Sequence, residues 1–329
     1  MRSKVFVTQP ISASALERLR GAADVTCDGD ASRILPRADL LGAVRMHDYL
    51  FCLLHDIVDA EVIGANPALR MIASMAIVPA NIDVAEATAR GIPVTVIPAV
   101  VTEATADLTW ALLLAVARRV LEGDRLVRAG RFPGSQSAYL EGRYVSGKIL
   151  GIVGAGRVGQ AVADRATGFG MRVVYYDPRR LSPRDEQSRR MTFSSLDQLL
   201  TDADFVSLHP SYSGATHHLI GARELALMKR SAYLVNTSRG PVVDEKALVE
   251  ALARGTIAGA GLDVYEHEPA PDPALLALTN VVLTPHLGSA VGELREEMHH
   301  IVVDNILAVM EGRRPPHCVN PEVYGPART

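Results

Sequence analysis

A chain of 329 residues is longer than one ordinary hydrophobic core fills, which points to two domains. With 48% apolar and 22% charged residues, a formal charge of −3 and no long basic run, it reads as a soluble globular protein whose main partner is not nucleic acid. Cys27, Cys52 and Cys318 are scattered, with neither CxxC nor metal-like spacing, so inert thiols in a reducing compartment are expected.

The first residues run directly into the strand-like Val5-Phe-Val, with no signal-peptide core. Short apolar runs then alternate with amphipathic stretches: 5–8 and 12–20, 49–54 and 60–65, 70–76 and 83–90, then 94–97 between Pro93 and Pro98. Such alternation implies a parallel sheet covered by helices. This half lacks a glycine-rich phosphate loop. A long helix is expected over 102–129, and its stretch 110–117 is apolar on all sides. A helix without a polar face needs burial all round, which suggests a place between domains or subunits. The same stretch is far short of the ~20 residues that span a bilayer, so a cytoplasmic protein with no membrane partner is expected. Residues 131–146, rich in Gly, Ser, Tyr and charge, read as an extended arm.

Residues 149–154 read as a short buried strand, followed by Gly154-Ala-Gly156-Arg157-Val158-Gly159 and a helix-like stretch, 160–169. Strand, glycine turn and helix together form a credible dinucleotide-binding fingerprint. Gly154 allows the tight turn, Gly156 lets the backbone approach a pyrophosphate, and Gly159 lets the helix pack on the sheet. The helix N-terminus then receives the phosphates. The next strand ends in Asp177, where an acidic residue would bind an adenosine ribose hydroxyl. Arg179-Arg180 could instead meet a 2′-phosphate, but Asp177 would repel it. NAD is therefore expected, with NADP as the alternative.

Further strands are expected at 172–176, 205–209, 232–236, 260–264 and 281–284, with helices at 196–203 and 244–254, the latter ended by Gly255. Six strands with one glycine fingerprint after the first fit a full dinucleotide-binding sheet. The last helix, 292–311, is too long for another connector and is expected to return to the first domain.

Three residues at strand ends could carry chemistry: Arg239, Glu268 and His286. Ligands of doubly wound sheets bind outside the carboxyl ends of strands, so the three could share one cleft. Arg offers a planar fork to a carboxylate and carbonyl, His supplies a proton near neutral pH, and a carboxylate holds that His protonated. Singly, each has a bland reading as a salt-bridge partner or loop residue. Together they suit reduction of a 2-oxo acid.

The blocks Asn236-Thr-Ser-Arg239-Gly-Pro-Val-Val-Asp-Glu, Gly259-Ala-Gly-Leu-Asp263-Val-Tyr-Glu-His-Glu268-Pro and Asn280-Val-Val-Leu-Thr-Pro-His286-Leu-Gly-Ser-Ala resemble the signatures of the D-2-hydroxyacid dehydrogenases. The glyoxylate/hydroxypyruvate reductase branch is closest, and the likeness covers nearly the whole chain. It implies an α/β fold of two doubly wound parallel-sheet domains. A Rossmann cofactor domain with the dimerisation helix and arm (101–286) would be inserted in a discontinuous, flavodoxin-like substrate domain (1–100 and 287–329). It also implies that Arg239 binds the substrate, His286 is the acid/base and Glu268 supports it. Asp263 would hold the nicotinamide carboxamide, and Thr105 would touch the cofactor. Cofactor contacts would also fall to the glycine turn with Arg157 and Val158, to Asp177, and to His209, Thr237, Ser238, His286 and Gly288. Substrate contacts would fall to Ile77, Val78, Arg239 and Ser289. The expected partners are a small 2-oxo or 2-hydroxy acid and a second copy of the chain.

Two departures from the family pattern stand out. Its substrate loop usually reads like Val-Gly-Tyr-Asp-Asn. Here it is Ile77-Val78-Pro79-Ala80-Asn81, which adds bulk and deletes one N–H. Ser211 replaces a usual proline. The pairs His217-His218 and His299-His300 lack a third ligand and read as surface residues, so no metal is expected. The alternatives to a reductase on this scaffold are a dinucleotide-sensing, corepressor-like regulator and a phosphite dehydrogenase-like enzyme.

Overall fold

The computed structural model describes residues 2–325. The chain divides into two units, Met1–Val100 with Val291–Thr329, and Val101–Ala290. The boundary falls four residues beyond the expected one at 286/287. Residues 287 and 288 stay with the second unit because Asp263 accepts both of their amides.

The first unit holds β1 (Lys4–Val7), β2 (Asp24–Cys27), β3 (Tyr49–Cys52), β4 (Met71–Ser74) and β5 (Val94–Thr95), all parallel in the order β2-β1-β3-β4-β5. This is the flavodoxin-like order. The inner strands are unbroken apolar runs, and Val5, Val7, Tyr49, Phe51, Met71 and Ile72 are fully buried. The sequence reading missed β2 and the helix Arg37–Met46, because Asp-Val-Thr-Cys at a half-exposed edge has no apolar run to reveal it. The helix Gly292–Met310 lies on β4 and the helix Ala13–Ala22, so the C-terminal segment rejoins this unit. Asn320 seals the return by accepting from Val94 N and donating to Ile92 O.

The second unit holds β6 (Ile149–Val153), β7 (Arg172–Tyr176), β8 (Met191–Phe193), β9 (Phe205–Leu208), β10 (Tyr233–Asn236), β11 (Gly259–Leu262) and β12 (Val281–Leu283), all parallel. Their order, β12-β11-β10-β9-β6-β7-β8, is the Rossmann order with one strand added. The sheet therefore has seven strands rather than six, and the missed one, β8, is a three-residue edge strand.

The helix expected over 102–129 is two helices, Thr102–Ala117 and Val120–Arg128. The chain breaks at Arg119, whose φ of 54° is left-handed and whose guanidinium is held by Glu122. The apolar stretch finds much of its cover inside its own unit. Trp110 stacks on Phe169 at 4.6 Å and donates to Val162 O. The same helix lies on β10, β11 and the helix Arg157–Ala166. By contrast, the helix Val120–Arg128 has no buried residue, and 131–146 forms no regular element. No helix among the described residues is long and apolar enough to cross a membrane.

Candidate active site

The glycine turn lies at the switch point of the second sheet, between β6 and β9. Gly154 has φ 92°, and a Cβ there would lie 2.6 Å from His209 C; a Cβ on Gly159 would lie 2.1 Å from Gly154 O. Both positions therefore demand glycine. Gly156 faces open space, and Gly156 and Arg157 are exposed. The first helical bond runs from Gln160 N to Gly156 O, leaving the amides of 157–159 aimed out of the helix N-terminus. An open glycine, a positive backbone end and unspent amides fit a dinucleotide pyrophosphate.

Asp177 lies at the end of β7. Its Oδ2 accepts from Ala155 N at 2.9 Å and its Oδ1 from Arg179 N at 2.9 Å. Arg180 donates two hydrogen bonds to the Glu186 carboxylate and lies over Phe193. His209 follows β9 and meets Ser207 Oγ at 2.8 Å. Desolvation pushes its pKa down to about 3, so the ring is neutral.

Arg239, Glu268 and His286 come from the loops after β10, β11 and β12, three adjacent strands of one sheet. Asn236 shapes the Arg239 turn by accepting from Ser238 and donating to Arg239 O. Arg239 is half-buried, and burial pushes its guanidinium down while Glu268 opposes the shift. Its hydrogen bond within the described residues goes to Ser238 O at 2.7 Å. Most of its donors thus remain for an anion.

Glu268 divides its carboxylate: Oε1 accepts from Tyr265 N at 3.1 Å, and Oε2 meets His286 Nδ1 at 2.8 Å. His286 itself has φ 54°, a left-handed conformation uncommon for histidine. The surroundings enforce it. Its amide bonds Asp263 O and Thr284 O, while Asp263 Oδ1 accepts from Thr284 Oγ1 and Leu287 N and Oδ2 accepts from Gly288 N. Burial pushes the Asp263 carboxyl up, against these hydrogen bonds and His286. Asp263, expected to hold a carboxamide, is thus also the clamp of the His286 loop, with one lone pair of Oδ2 still unspent.

Thr105 donates to Gly288 O at 3.1 Å, and Thr237 meets Thr109 at 2.8 Å. Gly288 is buried and Ser289 half-buried. One body therefore brings together Arg239, Glu268, His286, Asp263, Thr105 and Gly288.

Ile77 and Val78 lie in the first unit, in the loop after β4. Val78 is 55% exposed, and its φ is not left-handed. Asn81 anchors the loop by donating to Leu53 O and Asp56 O. The amides of Ile77, Val78 and Ala80 make no backbone bond among the described residues, so this loop keeps unspent donors although Pro79 offers none.

Of the two histidine pairs read as surface residues, His299 is half-buried and accepts from Ser12 N. His218 meets Glu266 Oε1 at 2.7 Å. The motifs did not single out Glu266 or Glu245, both of which bind backbone amides of the Glu268 loop or its neighbour.

A family model described as D-isomer specific 2-hydroxyacid dehydrogenase, NAD binding domain, matches residues 110–288. A glyoxylate reductase of Thermococcus litoralis is 46% identical over 327 residues, covering 98% of each chain. A solved Thermus thermophilus protein superposes with a TM-score of 0.87 at 46% identity, over 96% of this chain and 99% of its own. The NADPH-dependent glyoxylate/hydroxypyruvate reductase of Sinorhizobium meliloti, solved with NADP and malonate, gives 0.78 at 31% identity over 98% of both chains.

Proposed function

The chain belongs to the D-isomer specific 2-hydroxyacid dehydrogenase family, and we propose that Arg239, Glu268 and His286 reduce a small 2-oxo acid to the D-2-hydroxy acid. The enzyme is an NAD(P)-dependent oxidoreductase acting on CH–OH donors, and the regulator and phosphite readings are not favoured beside a full-length match to a reductase.

The observation that carries the reading is the Glu268–His286 contact at 2.8 Å beside a half-buried arginine with unspent donors. Arg239 binds the carboxylate and keto oxygen and polarises the carbonyl. With Nδ1 against Glu268, His286 would protonate the keto oxygen through Nε2. Glu268 orients the ring through its contact with Nδ1. When bound along the glycine turn, the reduced nicotinamide dinucleotide supplies the hydride to the substrate C2. Gly154–Gly159, Asp177, Thr105, His209, Thr237, Ser238, Asp263 and Gly288 would hold it. Asp177 near the ribose, with Arg180 committed to Glu186, favours NAD over NADP.

The substrate loop supports a preference within the class. Val78 and Pro79 replace a compact, donor-rich turn, so an acid with a group at C3 is favoured over glyoxylate. Ile77, Val78 and Ser289 would contact it. A dimer is supported by Val120, Val127, Phe132 and Tyr144, which are 51–82% exposed along the helix Val120–Arg128 and the arm. Three unpaired thiols support a cytoplasmic setting.

The test is NADH and NADPH oxidation with glyoxylate, hydroxypyruvate, pyruvate and an aromatic 2-oxo acid. Turnover is expected with the small acids, hydroxypyruvate leading. No turnover of any acid with either cofactor would overturn the reading.

A further inference from the structure

The loop carrying Glu268 leaves β11 at Asp263 and ends at Asp272, the N-cap of the helix Pro273–Leu276. One side chain grips it on both sides of Glu268. Glu245, the buried first residue of the helix Glu245–Ala253, accepts from Glu266 N at 2.9 Å with Oε2 and from Asp272 N at 2.7 Å with Oε1. Glu266 returns the bond by accepting from Glu245 N at 3.0 Å, and its other oxygen meets His218 Nε2 at 2.7 Å. The His218 amide in turn donates to Pro241 O, in the Arg239 loop. The two loops press together, since a Cβ on Gly240 would lie 1.7 Å from Tyr265 O.

A residue needed only to start a helix would have no reason to bridge two amides six positions apart in another loop. Each Glu245 oxygen fixes one end of the segment whose middle presents Glu268. Burial makes the arrangement strict, because a buried carboxylate must keep its donors. Glu266 is held ionised: burial raises its carboxyl, but the Glu245 amide and His218 outweigh it and leave it below the usual range.

We propose that Glu245 is a positioning residue for proton transfer, its two oxygens holding the 266–272 segment so that Glu268 stays within reach of His286. This rests on the roles given above to Glu268 and His286. Within the same unit, Asp263 acts electrostatically on His286 and Arg239 on Glu268, and Glu245 and Glu266 flank the loop. Tyr265 is also close, but burial, with Asp263, Glu268 and Glu245, pushes it up to about 12 and keeps it neutral.

Glu245→Gln is the test. Glutamine offers one oxygen and one NH₂, so only one of the two amides keeps its acceptor. In folded protein of normal NADH affinity, kcat for reduction is expected to fall about 10–100-fold. The pH at which reduction declines should move lower, as in Glu268→Gln. A merely structural residue would lower thermal stability and leave that limb in place, so an unmoved limb overturns the proposal. If Glu245→Gln does not fold, Asp272→Pro deletes the far amide at a φ of −54° that proline accepts, and it must move the limb the same way. His286→Ala separates the two failures. If it keeps its kcat, the underlying reading is wrong; if it is inactive while both variants leave the limb unmoved, only the positioning role falls.

Discussion

Asp177 and Ala155 are joined by a hydrogen bond of 2.9 Å, from the amide in the middle of the glycine turn to the carboxylate at the end of the neighbouring strand. The acid expected to receive a ribose therefore also braces the turn expected to receive the phosphates. Two functions in one side chain give its removal a double effect.

For Asp177→Ala, NADH affinity should fall ~10-fold or more, because a ribose acceptor and a charge-assisted brace are lost together. NADPH should gain relative to NADH, since repulsion of a 2′-phosphate disappears. Fluorescence titration with both cofactors measures this, and wild-type preference for NADPH would refute the argument.

His286→Ala should lower kcat by about 10²–10⁴-fold, the usual size of a general-acid contribution, with NADH affinity nearly unchanged. Near-normal kcat with every active acid would remove His286 from its role.

Glu268→Gln should shift a limb rather than abolish turnover. Reduction consumes a proton delivered through this pair, so activity is expected at low pH and falls as pH rises. The Glu268 carboxylate lies 2.8 Å from His286 Nδ1, and Glu268→Gln removes its charge from the proton-delivering pair. The falling limb of kcat/KM should therefore move down in pH. An unmoved profile would mean that Glu268 does not act on His286.

Val78→Gly combined with Pro79→Tyr should raise kcat/KM for glyoxylate relative to a bulkier acid. It restores a donor and removes an exposed branched side chain. Burial of a C3 substituent favours the bulkier acid by ~0.8 kcal/mol per CH₂, an advantage that the restored donor would offset for glyoxylate. Both substrates must be compared, because a general loss of folding lowers both alike. Wild-type protein that already turns over glyoxylate best would refute the idea.

His299 offers a test confined to the first unit. Burial, with Arg295 and His300 nearby, pushes it down to about 4, and its Nδ1 accepts from Ser12 N. Its folded pKa lies below the unfolded value near 6.5, so the unfolded chain binds more protons between those limits. The stability it confers is complete above pH ~6.5 and is lost as pH falls toward 4. His299→Gln should flatten the decline of Tm over that window, and an equally steep decline would contradict it.

Much of the candidate site's placement was legible because its residues sit at strand ends, and strands such as Ile149–Val153 and Phe205–Leu208 are buried throughout or nearly so. The glycine turn declared itself through sterics, since only glycine fits beside His209 and Gly154 O. Short edge strands did not, because β2 and β8 bury too little to impose a pattern. Nor did the break at Arg119, where a left-handed residue interrupts a sequence of good helix formers. The Glu245 clamp was invisible for another reason. Its partners are backbone amides 21 and 27 residues away, which no side-chain spacing records.

The strand β12 has three residues, lies at the sheet margin and, among the described residues, pairs with β11 alone. The proposed acid His286 hangs from its end, whereas the glycine turn follows β6, which has a strand on either side. Cooperative units at a margin open with less free energy than those in the middle of a sheet. Catalysis and cofactor retention should therefore fail separately under denaturant. In a urea titration, turnover would vanish at concentrations where the protein still binds NADH, and amides of 281–288 would exchange with deuterium ahead of those of 149–153.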